Sequence, residues 1–132
     1  MWTYKGEILE DIPEGYVGMV YMITNIATNK KYIGKKIFHF TKTKQVKGKK
    51  KRSKVESDWK NYYGSNKELN EHVELFGVNN FKREILHLCV NKSQMSYLEL
   101  REQIDRRVLE TEEYYNEWIS AKVRKTKHLT NL

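Results

Sequence analysis

Two apolar runs joined by a short turn-forming segment most narrowly restrict how this chain can fold. Tyr16 to Thr24 is rich in apolar and β-branched residues and reads as a strand. Lys31 to Phe38 returns with tyrosine, isoleucine and phenylalanine, and Asn25 to Lys30 between them carries turn-forming residues, so the two runs are expected to pair as a β-hairpin. A chain of 132 residues lies where one hydrophobic core is the default, so a single domain over residues 1–132 is expected to be built on this hairpin.

The only proline, Pro13, sits in a turn from Glu10 to Gly15 that delivers the chain into the first strand. Ser65 and Glu68 have the spacing of a capping box. Leu69, Val73 and Phe76 then recur at helical spacing up to Gly77, a C-terminal stop. Phe81 to Val90, bounded by asparagines, reads as a third, largely buried strand. Beyond it, Tyr97, Leu100, Ile104 and Val108 predict one face of a helix, and Tyr115, Trp118, Ile119 and Val123 a second amphipathic helix. Between the hairpin and the first helix, residues 42–54 hold eight basic side chains and no apolar stripe, which predicts an open, mobile basic loop. The expected fold class is α+β, a small three-stranded antiparallel sheet flanked by helices.

Charge narrows the function. Twenty-five lysines and arginines against seventeen acidic residues leave a net charge of +8, which favours an anionic partner, nucleic acid being the commonest. Cys89 is the sole cysteine, so an intrachain disulfide and a thiolate zinc cluster are both excluded. His39, His72, His87 and His128 show no ligand spacing, so a metal would rest on carboxylate oxygen, which suits Mg2+ or Mn2+. No apolar run is long enough to span a membrane and Met1 to Lys5 has no signal-peptide character, so an intracellular, cytoplasmic location is expected.

Gly18-Met19-Val20-Tyr21 on the first strand and Tyr32-Ile33-Gly34 on the second carry the strongest motif. Tyrosine is common in strands for packing reasons alone, so it is the order of the whole set that matters. That order resembles the GIY-YIG nuclease family. Tyr32-Ile33-Gly34 is intact, whereas Gly18 and Tyr21 stand one residue further apart than in the usual first motif. The resemblance continues through the Ser65 helix, the Phe81 strand, a glutamate on the next helix and a late asparagine, covering roughly residues 16 to 119. Asp58 to Ser65 and Tyr114-Tyr115-Asn116 look like a phage-associated branch related to the Seg-type homing endonucleases, which implies a host cytoplasm for a phage-encoded protein.

The resemblance implies metal-dependent endonuclease activity on DNA. Phosphodiester hydrolysis needs an in-line water, a base for it, and positive charge against the charge that builds on phosphorus. By the resemblance, Tyr21 is the general base and Tyr32 a hydrogen-bonding partner of water or phosphate. Tyrosine ionises near pH 10, so a nearby cation must favour the phenolate. Lys35 and Lys36 follow at once, as phosphate or active-site cations or as a solvated strand end. Glu99 is the preferred ligand for Mg2+ or Mn2+, with Glu102 its competitor, because periodicity does not decide which faces the sheet; Ser96 and Glu99 also form a capping-box pattern. Asn116 matches the late asparagine, with an ordinary helix-surface role as its alternative. The family arginine expected after the second tyrosine has no counterpart, and Lys42 or a neighbour is the candidate to replace it. Lys42, Lys49, Lys50, Lys51 and Arg52 belong to a run readable as a solvated loop, a nuclear-targeting-like cluster or a phosphate-contacting arm; the arm is favoured, with backbone contact and little base reading. Trp59, Tyr62 and Tyr63 are more readily used as buried packing than as base-stacking surfaces. The alternative functions are a nonenzymatic DNA- or RNA-binding domain that keeps the nuclease fold, and a ribosome-associated RNA binder.

Overall fold

The computed structural model describes residues 1–130 and 132. Its strands are β1 (Trp2–Tyr4), β2 (Glu7–Ile8), β3 (Gly18–Asn25), β4 (Lys31–Ile37), β5 (His39–Val46), β6 (Lys49–Glu56) and β7 (Phe81–Cys89), and its α-helices α1 (Lys67–Phe76), α2 (Lys92–Asp105) and α3 (Lys127–Thr130). The fold is α+β, as expected, but the sheet is neither three-stranded nor purely antiparallel. Five strands run in the order β2-β1-β7-β3-β4, and β1 lies parallel to β7. The short N-terminal strand escaped the sequence reading because three residues show no periodicity. It is held by Trp2, whose buried indole donates to the Trp59 carbonyl at 2.6 Å.

The expected hairpin is β3–β4, in continuous register with Tyr21 opposite Gly34. Since β3 also pairs with β7, it is central and its side chains are covered on both faces. On one face Trp2, Met19, Tyr21, Ile23, Phe38 and Trp59 form a core. On the other, Val20, Ile33 and Cys89 meet Met95 and Leu98 of α2. Gly18 is where α2 comes closest: a β-carbon there would stand 2.6 Å from the Met95 sulfur and 2.7 Å from the Lys36 carbonyl oxygen. The extra residue in the first motif therefore puts Gly18 on the opposite face from Tyr21, where its smallness serves helix packing.

Four expectations are corrected. The basic segment 42–54 is not an open loop but most of a second hairpin, β5–β6, in unbroken antiparallel register from His39 opposite Glu56 to Val46 opposite Lys49. Lys47 and Gly48 both have positive φ, as a two-residue type I′ turn requires. The β-branched residues Thr41, Thr43, Val46 and Val55 supply strand propensity that a charge-based reading overlooks.

The face of α2 also differs from the expected one. Gln94, Met95, Leu98 and Gln103 are buried, while Ile104 is 58% exposed, because the helix starts at Asn91, whose side chain caps the Gln94 amide, and packs residues that a purely apolar count ignores. For α1 the cap is likewise Asn66, accepting from the Leu69 amide, and not Ser65.

Finally, no helix covers residues 115–123. Arg107 turns the chain at φ 52°, and the next segment runs beside β4, whose outer edge is otherwise unpaired. The Lys31 amide donates to the Glu113 carbonyl at 2.9 Å and the Tyr115 amide to the Lys31 carbonyl at 2.7 Å. Satisfying that sheet edge prevails over the helical periodicity of the segment. Among the described residues no helix is long and apolar enough to cross a membrane.

Candidate active site

A cavity of about 380 Å³ opens beside the edge strand β4. Tyr21 and Tyr32 reach it from one face of the sheet. Lys35, next in alternation on β4, and Glu99 of α2 reach it from the other. Gln103, Asn116 and Trp118 complete that wall, and Ser65 and Asn66 close the tyrosine side.

Each tyrosine is held by its strand. Tyr21 is 1% exposed and lies across Gly34, where a β-carbon would stand 2.6 Å from its Cζ. Only glycine permits this approach, which gives Gly34 of the second motif a physical role. Burial pushes the Tyr21 phenol well above its usual range, and the neighbouring Tyr62, Tyr32 and Glu99 push it the same way. Tyr32 is raised as well, first by burial, while a hydrogen bond with the Ser65 hydroxyl at 3.1 Å opposes the rise. Ser65, expected as a helix cap, is therefore a partner of the second tyrosine.

Glu99 is an imperfectly compensated carboxylate. Its side chain is 14% exposed, and burial raises its affinity for a proton against the opposing pull of Lys35, whose ammonium is 3.9 Å away and bonded to the Ser96 hydroxyl at 2.8 Å. Glu102 is used elsewhere: burial would raise it, but hydrogen bonds from Arg106 at 2.9 Å and His87 at 2.8 Å prevail and hold its carboxyl low. Of the two glutamates, it is Glu99 that lines the cavity.

Asn116 lies in the extended segment and not on a helix surface. Its carboxamide accepts from the Ile33 amide at 3.0 Å and donates to the Ile33 carbonyl at 2.8 Å, mimicking a neighbouring strand between the motif residues Tyr32 and Gly34. Tyr115 secures the same segment, its hydroxyl bonded to Asn25 at 3.0 Å and His72 at 2.8 Å.

Six expected residues stand apart. Lys36 projects to the Tyr21 face, ion-paired to Asp58 at 2.7 Å and stacked 4.0 Å from the Tyr62 ring centre, one side chain behind the cavity. Lys42, Lys49, Lys50, Lys51 and Arg52 are all on the exposed β5–β6 hairpin, so Lys35 is the cation present in the cavity. Trp118 was missed. It is 72% exposed at the cavity, whereas Trp2 and Trp59 are buried, and its spacing with Tyr115, Ile119 and Val123 makes it read as part of a helix face.

The donor set tests the fit of a metal. Among the described residues no three histidine, cysteine or acidic side chains cluster as ligands, which does not suit zinc. Two carboxylates, Glu99 and Glu117, line a polar cavity with room for water and a phosphate, which suits a hard dication that keeps most of its hydration.

The edge of β4 thus brings two tyrosines, a lysine and two glutamates to one cavity. Residues 2–119 match a family model described as "Putative endonuclease segE, GIY-YIG domain", and the chain belongs to this GIY-YIG family. No curated protein and no solved structure matches it.

Proposed function

We propose that the protein is a DNA endonuclease that hydrolyses phosphodiester bonds in the cavity beside β4. The observation that carries this reading is the meeting of Tyr21 and Tyr32 from one face of the sheet with Lys35 and Glu99 from the other. In the free protein, burial holds the proton on Tyr21, so its hydroxyl is at first a donor. A dication held by Glu99 would supply the positive charge that lowers the cost of the phenolate, and Tyr21 is the group placed to take the proton of the attacking water. Tyr32, oriented by Ser65, donates to the water or to a phosphate oxygen. Lys35 offsets the charge accumulating on the phosphate. Asn116 fixes the β4 edge and thereby the angle at which Tyr32 enters.

Glu99 would hold Mg2+ or Mn2+, which when bound supplies Lewis-acid charge to the phosphate. Trp118, exposed at the mouth, offers a ring on which a base beside the scissile phosphate can stack.

Nicking of supercoiled plasmid with Mg2+ or Mn2+, beside a chelator control and the Glu99→Gln variant, tests the reading. Metal-dependent nicking lost in the variant is the expected result. Tight DNA binding without nicking in any metal would leave a nonenzymatic DNA- or RNA-binding protein.

A further inference from the structure

The hairpin β5–β6 is unlike the rest of the molecule. Both strands stand away from the core, and β6 is exposed along its whole length. Isolated two-stranded ribbons are marginal in water, and this one places Lys44 directly opposite Lys51, a repulsive pair. Without an apolar face to bury, such a ribbon fits a polyanion.

Its register sorts the side chains more finely than charge alone. Cross-strand partners share a face, and faces alternate along each strand. The pairs Lys42–Ser53, Lys44–Lys51 and Val46–Lys49 therefore lie on one face, and Thr41–Lys54, Thr43–Arg52 and Gln45–Lys50 on the other. The first face holds four lysines with Ser53, Val46 and, at the base, the Phe40–Val55 pair, and has neither the glutamine nor the arginine. The second collects the groups that recognise base edges: glutamine pairs with adenine, arginine or lysine with guanine, and threonine methyls touch thymine methyls.

We propose that β5–β6 is a DNA-reading ribbon that enters the major groove with the Thr43, Gln45 and Arg52 face toward the base edges. The Lys42, Lys44, Lys49 and Lys51 face turns outward, its stems reaching over the strand edges to phosphates on the groove walls. The major groove of B-form DNA is about 12 Å wide and admits a two-stranded ribbon. Strands of eight residues span about 26 Å, enough to follow several base pairs. At its base the ribbon is rigidly joined to the strand that carries Tyr32 and Lys35. Phe38 is buried against Trp59, the Ser57 hydroxyl donates to the Ile37 carbonyl at 2.6 Å, and the Ser57 amide to the Phe38 carbonyl at 2.8 Å. Bases read by the ribbon therefore lie to one side of the phosphate in the cavity. This replaces the expectation of a mobile arm indifferent to sequence, and it rests on DNA being the substrate. The major groove of A-form duplex RNA is too narrow and deep for the same entry.

The test uses the full chain carrying Glu99→Gln in chelator, so that binding is measured apart from cleavage, with a randomised DNA duplex as probe. Selection should enrich a short motif. Arg52→Lys, which keeps the charge but not the two-pronged donor, and Gln45→Ala should each weaken preference at a separate position by about five- to one-hundred-fold while leaving the salt dependence of binding unchanged. Lys44→Gln with Lys51→Gln should do the reverse, flattening the slope of log affinity against log salt by up to about 1.8 and keeping the motif. No enriched motif, a motif untouched by Arg52→Lys and Gln45→Ala, or equal competition by duplex RNA would overturn the ribbon. Failure of the endonuclease reading is distinct: wild-type protein would select the motif and never nick it.

Discussion

The two hairpins of this protein share a backbone plan and differ in almost everything that follows from it. β3–β4 is wedged between β7, α2 and the aromatic cluster around Trp59, so its register is fixed by side chains on both faces. β5–β6 is in solvent, and its register is fixed by a two-residue turn and by anchors at its base. Burial fixes the side chains of the first hairpin, pushes the Tyr21 phenol well above its usual range and raises Glu99 on the neighbouring α2. Exposure leaves the second free to meet a large ligand and makes its own stability slight.

The largest expected contrast is in activity. Tyr21→Phe keeps the ring across Gly34 and removes only the hydroxyl, so cleavage under single-turnover conditions should fall by about 10²- to 10⁴-fold with little change in melting temperature. Glu99→Gln should abolish metal-dependent nicking, whereas Glu102→Gln, which lies outside the cavity, should weaken it only modestly. Full nicking by folded Tyr21→Phe would remove the base assignment, and reversed glutamate phenotypes would transfer the metal to Glu102.

A second contrast compares glycines. Gly34→Ala forces its methyl into the Tyr21 ring, an overpacking that should cost about 1–3 kcal/mol in urea unfolding. Gly48→Ala at the ribbon tip meets no neighbouring atom and is strained only by its φ of 74°, so the global midpoint should hardly move. Equal losses would mean that the ribbon unfolds together with the core.

The pH dependence of stability isolates Glu99. Its folded pKa is raised by burial, so between its unfolded and folded values the native state binds more protons than the unfolded state, and stability falls as pH rises through that window. In metal-free buffer Glu99→Gln should therefore melt above wild type at pH 7 and match it below the ordinary glutamate range. Mg2+ or Mn2+ should narrow the gap by stabilising wild type alone. A variant that melts below wild type at neutral pH would show that Lys35 fully compensates the carboxylate.

The smallest effect is expected on the ribbon itself. Lys44→Gln, which relieves the repulsion with Lys51, should change global stability by no more than about 0.5 kcal/mol. Hydrogen exchange should show ribbon amides open in the free protein and protected on DNA, while those of β3 stay protected throughout. Ribbon protection as strong as that of β3 without DNA would erase the comparison.

The sequence by itself determined the β3–β4 hairpin, the β7 strand, the α1 region and the pair Tyr21 and Tyr32, because each rests on short-range periodicity or on residues close in the chain. The Gly18 to Gly34 motif was legible for the same reason. Only the tertiary structure decided which glutamate turns to the cavity, since Glu99 and Glu102 sit on one helix and are separated by what α2 packs against. It also decided that Lys35 enters the cavity while Lys36, one residue on, crosses to the opposite face and meets Asp58. Residues 115–123 read as helical because their apolar spacing is local, yet at Tyr115 and Asn116 the unpaired edge of β4, some eighty residues earlier, supplied stronger hydrogen-bonding demands. In the basic run the charges were plain in the sequence but their sorting into two faces was not, because a face exists only once cross-strand pairing has chosen a register.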